Sequence, residues 1–119
     1  MIYGHTKSEW SEAKKQARDA MIKRAQKRGM ITYTELTNAI TAIRFQPDGF
    51  DLACLLGEIS TEENAAGRGM LTVIVVHKKG DMEPGAGFYE LARDLGKSFT
   101  DQVEFWVKEL HAVHDTWSN

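Results

Sequence analysis

Residues 6–28 form the longest stretch of helical periodicity in the chain and constrain its fold most. Thr6, followed three residues later by Glu9, forms a capping box that predicts a helix start. Apolar residues then recur at three- and four-residue spacing, which is typical of an amphipathic helix. They are Trp10, Ala13, Ala17, Ala20, Met21 and Ala25. Gly29 is a natural terminator, so we predict a helix that ends near Arg28 and packs closely through its alanines.

Most of the remaining chain is also predicted to be helical. Thr32 with Glu35 and Ser60 with Glu63 form two further capping boxes, and a short helix is expected after each. Apolar residues at helical spacing predict three more helices, over residues 51–59, 88–95 and 100–117.

Strand signals are few. Residues 70–77 form the one strong signal, and their lack of alternation indicates that both faces are covered. Residues 30–33 are short and β-prone. The order of elements is compatible with a winged helix in which residues 30–33 pair with the strand at 71–77 and the helix near 51–59 takes the recognition position. We predict an α+β, mostly helical fold, with a winged-helix-like arrangement, an added N-terminal and C-terminal helix, and a small two- or three-stranded sheet. It forms a single domain over residues 1–119.

Length and cysteine content exclude several classes of protein. A chain of 119 residues can bury a core without disulfides or metal, and its single cysteine, Cys54, cannot form an internal disulfide. The N-terminus lacks the basic start and apolar run of a signal peptide. The apolar run at residues 73–76 is too short to cross a bilayer. The sequence therefore predicts a cytoplasmic protein with no membrane association, no metal and no cofactor.

Charge is segregated along the chain. Residues 7–28 carry a net charge of +5, whereas the remainder carries −7. A basic helix can follow a phosphate backbone, but it can equally be a solvated face or dock on the acidic remainder. The predicted nucleic-acid contacts are Lys14, Lys15, Arg18, Lys23, Arg24, Lys27 and Arg28 on the helix, with Lys78 and Lys79 in the turn after the strand.

A second set of residues suggests catalysis. Carboxylates with a histidine can bind a hard metal or act as general acid and base. The candidates are Glu58, Glu63, Arg68 and His77. A capping box explains Glu63, and a strand end explains His77, without any reaction. The glycine-rich segments 67–69 and 84–87 could cradle an anion with backbone N–H groups, although turn geometry also explains them and neither is a P-loop.

Four motifs within residues 31–96 stand out: LLGEIS at 55–60, Glu63 with AAGR at 65–68, the apolar run at 71–77, and PGAGF at 84–88. In these motifs the chain resembles a family of small, uncharacterised bacterial proteins. The tail from Glu104-Phe105-Trp106 to Trp117 is similar as well. The resemblance implies a bacterial protein and carries no function with it.

Two other segments, ITYTEL at 31–36 and ACLLG at 53–57, suggest a second likeness. They are similar to the Ile-Thr-Tyr-Gly-Glu-Leu opening and the Ala-Arg-Ala-Val-Gly helix of the alkyltransferase-like DNA-binding domain. This resemblance implies a winged helix that binds DNA. The Pro-Cys-His-Arg motif of that domain is absent from the sequence, so alkyl transfer is not implied. Cys54 stands where the domain has the arginine that enters DNA.

Three classes of function therefore remain open. The preferred one is a non-enzymatic winged-helix module that binds nucleic acid or regulates. The second is a protein-interaction or regulatory protein whose acidic surface meets a partner. The third is a small hydrolase or nuclease that uses the four catalytic candidates. The first class depends on the cations of residues 7–28 staying available to a phosphate-bearing partner.

Overall fold

The computed structural model describes residues 1–78 and 84–118, and within them the fold is α+β and mostly helical, as predicted. Five α-helices surround a short 3₁₀ helix and a two-stranded parallel sheet in this part of the chain. In chain order the elements are α1 (Lys7–Gln26), β1 (Ile31–Thr32), α2 (Tyr33–Ala39), α3 (Phe50–Ala65), the 3₁₀ helix (Leu71–Ile74), β2 (Val75–Val76), α4 (Ala86–Asp94) and α5 (Gln102–Trp117).

Helix α1 begins as its capping box predicts. The Thr6 hydroxyl accepts a hydrogen bond from the Glu9 amide, and the Glu9 carboxylate accepts one from the Thr6 amide. Five residues on one face are fully buried: Trp10, Ala13, Ala17, Met21 and Ala25. The alanines allow a close approach to α3 and α5, both of which contact α1. The helix ends slightly earlier than predicted, because Arg28 adopts a left-handed conformation with φ of 54°.

The second capping box is also confirmed. Thr32 accepts a hydrogen bond from the Glu35 amide and Glu35 accepts one from the Thr32 amide, which starts α2 immediately after β1. The third predicted capping box is wrong, because α3 runs without interruption through Ser60 and Glu63. The Ser60 hydroxyl is buried and lies 2.6 Å from the Thr72 hydroxyl, so it links two elements instead of starting a helix.

The prediction of one strand over residues 70–77 is only partly correct. Residues 71–74 form the 3₁₀ helix, and only Val75 and Val76 are extended. The amide of Thr72 donates to the Ser60 hydroxyl, which draws this part of the chain towards α3 and away from strand pairing. All residues from 70 to 76 are buried, so the expectation that both faces are covered is confirmed.

The two strands pair with each other, as predicted, in the register Ile31–Val75 and Thr32–Val76. Their pairing is parallel, so they are not the two arms of a hairpin. The winged-helix arrangement stays a prediction.

One buried cluster includes residues from all five helices and both strands. Helix α5 is tied to the centre by two polar contacts: Trp106 Nε1 donates to the carbonyl of Val73 at 2.9 Å, and His114 Nε2 lies 2.9 Å from the carbonyl of Gly29. Helix α4 packs on α3. Within the described residues no helix has both the length and the apolar character needed to cross a lipid bilayer.

Candidate functional site

An open, mainly apolar groove of about 560 Å³ lies between α3 and α4, and we call it the α3–α4 groove. Leu52 and Leu56 contribute the α3 wall, and Phe88 and Leu91 contribute the α4 wall. Val75 of β2 also lines it. The spacing within each pair, four residues on α3 and three on α4, places both side chains on one face of their helix.

Two glycines leave parts of the groove walls without side chains. Gly57 on α3 and Gly87 on α4 both line it, and a Cβ atom added to either would meet no atom within 4 Å. Glycine in a helix interior costs about 1 kcal/mol relative to alanine. At Gly57 closer packing does not offset this cost, because no atom lies within 4 Å of the Cβ position. The missing side chain leaves open space beside the residue.

Three exposed carboxylates line the groove: Asp48 from the loop before α3, and Glu90 and Asp94 from α4. We call them the acidic rim. All three are exposed, and none forms an ion pair or a side-chain hydrogen bond with any residue that the structure describes. No lysine or arginine among the described residues lines the groove. Among residues 1–78 and 84–118, the rim carboxylates therefore have no cationic partner, and they lie next to an apolar surface.

A polar corner, formed by Tyr33 and His77, lies in the same groove beside Gly85. The two rings pack with centroids 4.8 Å apart and an interplanar angle of 30°. Burial raises the pKa of the Tyr33 phenol above its usual value, and a hydrogen bond from the Gly85 amide partly opposes the rise. The phenol is therefore protonated at neutral pH and able to donate.

The α3 wall continues into an exposed aromatic pair. Cys54, half-buried in the wall, interacts with the hydroxyl of Tyr3, and this hydrogen bond is the main cause of the raised pKa of Tyr3. The Tyr3 ring in turn contacts Phe50 edge to face at 5.8 Å. Phe50 is 74% exposed, which is unusual for a phenylalanine at the start of a helix that packs on a core.

The predicted nucleic-acid contacts on α1 are largely occupied by the protein's own carboxylates. Three half-buried cations are held by neighbouring elements. Lys14 bridges Glu58 at 2.8 Å and Glu62 at 2.9 Å. The other two are Arg18, paired with Glu63 at 3.1 Å, and Arg24, paired with Glu35 at 3.0 Å.

The other predicted contacts are less constrained. Lys15 pairs with Asp19 and Arg28 pairs with Asp115, and both pairs are exposed, so they stabilise the fold little and can open cheaply. Lys23 and Lys27 form no ion pair with the described residues. Lys78 is exposed after β2, and Lys79 lies outside the described residues. The structure therefore does not bring the nine residues together as one free basic surface.

The four catalytic candidates are also divided. Glu63 and Arg68 are in contact, because the buried Glu63 carboxylate accepts hydrogen bonds from both Arg68 and Arg18. Burial opposes ionisation of Glu58, but hydrogen bonds from Lys14 and Trp10 outweigh it and lower the pKa of this carboxyl. His77 lines the groove, whereas Glu58, Glu63 and Arg68 do not. The proposed constellation is therefore not assembled at one site.

Sequence reasoning did not identify most of the groove. It proposed residues 84–87 for backbone contact with an anion, and Gly85 and Gly87 do line the groove. It missed Tyr33 and the acidic rim, because exposed carboxylates carry no signal of their own. On α4 the three-residue spacing of Leu91 and Asp94, which places both on one face of a helix, was an available indication.

No group of three or more histidine, cysteine, aspartate or glutamate side chains within residues 1–78 and 84–118 is placed to hold a metal ion. His111 is exposed, and His114 is buried against the Gly29 carbonyl. Comparisons of the chain with protein-family models, with curated proteins and with solved structures find no match.

Proposed function

We propose that this protein is an interaction module that binds a basic, amphipathic helix of a partner protein in the α3–α4 groove. The observation that carries the proposal is the combination of an open apolar groove with three carboxylates that have no cationic partner in the described structure.

The apolar part of the groove suits the side chains of a helix. Its volume of about 560 Å³ is in the usual range of binding pockets, and its two walls are themselves helices. Recognition of a helix in a groove depends on apolar anchors at positions i, i+3 or i+4, and i+7. Leu52, Leu56 and Phe88 line the groove but are at most 7% exposed. Such anchors would therefore contact mainly its more accessible lining residues, which are Pro47, Ala53 and Leu91.

The acidic rim determines the charge of the partner. Lysine or arginine side chains on the helix edges would face Asp48, Glu90 and Asp94 and relieve their mutual repulsion. Complementary charge also raises the rate of association, an effect that falls with added salt. An acidic partner would be disfavoured by the same groups.

The cations of α1 give less support to a nucleic-acid-binding module. Lys14, Arg18 and Arg24 already form ion pairs with carboxylates on other elements. Contact with phosphate would first have to break these pairs. The separation of Glu58, Glu63 and Arg68 from the groove likewise gives an enzyme no assembled site.

The proposal can be tested with a synthetic amphipathic peptide of leucine and lysine, acetylated and amidated, and about 15 residues long so that it can form a helix. Fluorescence anisotropy measures its affinity. Backbone amide NMR shifts then identify the surface that it contacts. We expect saturable binding, with the largest shifts at residues such as Leu52, Leu91 and Asp94.

Two variants provide a matched comparison. Glu90→Lys reverses a charge on the acidic rim, and Glu12→Lys makes the same change at an exposed helical position outside the groove. Reversing one charge near a cationic ligand changes the interaction by about 1–2 kcal/mol at the surface. We expect Glu90→Lys to weaken binding about tenfold and Glu12→Lys to leave it within about twofold. Absence of saturable binding, shifts confined to other surfaces, or equal losses in both variants would refute the proposal.

A further inference from the structure

The polar corner of the groove differs in chemistry from the acidic rim. A methyl group placed on Gly85 would lie 3.1 Å from His77 Nε2 and 3.6 Å from the Tyr33 hydroxyl oxygen. Both polar atoms therefore lie on the side of Gly85 where a side chain would stand, and a side chain there would crowd His77.

Both side chains can act as hydrogen-bond donors beside Gly85. The Tyr33 hydroxyl carries a proton that it can donate to an acceptor placed near Gly85. The nitrogens of His77 have no hydrogen-bond partner in residues 1–78 and 84–118. In the tautomer with the proton on Nε2, the nitrogen closest to Gly85 is a donor.

We propose that the polar corner binds a carboxylate group of the helix that occupies the groove. This inference rests on the proposed function and adds a requirement to it: the partner segment carries one carboxylate in addition to its basic residues. Neither Tyr33 nor His77 hydrogen-bonds to a rim carboxylate in the described structure, so these two side chains are not occupied by the acidic rim. The carboxylate can belong to a glutamate side chain or to the C-terminus of the partner.

Two glycine variants separate the corner from the rest of the groove. Gly85 has a φ of −73°, which any residue adopts, so Gly85→Ala keeps the backbone and places a methyl group against His77 Nε2. Gly87→Ala adds a methyl group to the same helix start, where it meets no atom within 4 Å. Tyr33→Phe removes the hydroxyl and keeps the ring that packs on His77.

The experiment compares three forms of the leucine–lysine peptide: amidated, with a free C-terminal carboxylate, and amidated with one glutamate near the end. Hydrogen bonds to a charged group contribute more than those between neutral groups. We expect the wild-type protein to bind at least one carboxylate form about tenfold more tightly than the amide. A free carboxylate at a helix C-terminus opposes the helix dipole, so such a gain cannot come from a more stable peptide helix.

The variants then assign the gain to the corner. In Gly85→Ala and Tyr33→Phe we expect the ratio of the affinities for the carboxylate and amidated peptides to fall to near one. In Gly87→Ala we expect this ratio to stay near its wild-type value. A gain with the free terminus alone assigns a C-terminal carboxylate, and a gain with the glutamate alone assigns a side chain. If the wild type binds all three forms equally, or if Gly87→Ala loses the preference as fully as Gly85→Ala, the inference is wrong while the groove proposal stands. If the amidated peptide does not bind at all, the proposed function itself fails.

Discussion

The buried carboxylate of Glu63 permits a sharp test of whether a predicted catalytic residue is structural. Its side chain is only 2% exposed, and it lies between two guanidinium groups. Arg18 approaches one oxygen at 3.1 Å, and Arg68 Nε donates to the other at 3.1 Å. The carboxylate thus links α1 and the segment after α3 to α3 itself. We expect Glu63→Gln, which keeps the shape and removes the charge, to destabilise the fold.

The size of the effect follows from the exposure of the three groups. Removing one partner of a fully buried ion pair costs about 3–5 kcal/mol. Arg18 and Arg68 are more exposed than Glu63, at 37% and 39%, so both can regain water and the cost is smaller. We expect Glu63→Gln to lower the free energy of unfolding by about 2 kcal/mol, which corresponds to roughly 8 °C in Tm for a domain of this size.

Urea denaturation followed by circular dichroism measures this difference, and Glu62→Gln provides the control. Glu62 is the next residue, is 57% exposed and pairs with Lys14 on the surface, so its loss should cost less than about 0.5 kcal/mol. If Glu63→Gln were as stable as the wild type, or more stable, the two arginines would not depend on the carboxylate. The interpretation of Glu63 as a structural anchor would then be refuted.

Two further predictions concern charge. Hydrogen bonds from Arg24 and the Thr32 amide lower the pKa of Glu35 to about 2, so its contribution to stability is complete above about pH 4.5 and is lost as the pH falls towards 2. As the pH falls from about 4.5 towards 2, the free energy of unfolding should therefore decrease less steeply in Glu35→Gln than in the wild type. An unchanged dependence on pH would contradict this role of Glu35. On duplex DNA, Lys23 and Lys27 have no described ion pair, and the exposed pairs of Lys15 and Arg28 open cheaply, so any binding should show a log–log salt slope no steeper than about −4 and weaken in the Lys23→Ala/Lys27→Ala variant. A slope near −6, as expected for about seven phosphate contacts, would restore the nucleic-acid hypothesis.

Local elements were well predicted from the sequence. The capping boxes at Thr6 and Thr32 and the buried stripe of α1 involve residues at most four positions apart, so the residue types alone specify the contacts. The same pattern at Ser60 led to a wrong prediction, because the Ser60 hydroxyl forms a hydrogen bond with the Thr72 hydroxyl of another element. A short pattern cannot distinguish these outcomes, since the competing partner lies elsewhere in the chain.

By itself, then, the sequence determined the helical character of the chain, the start of its first two helices and the face that α1 buries, because backbone hydrogen bonds and side-chain periodicity act over one or two turns. Only the tertiary structure decided which charges remain available. Lys14 meets Glu62 across 48 positions, and Arg18 meets Glu63 across 45. It also decided that the carboxylates of the rim have no described partner and that Tyr33 and His77 share one groove. Coulombic and hydrogen-bond partners are chosen by distance in space, and that distance is set only when the helices have packed.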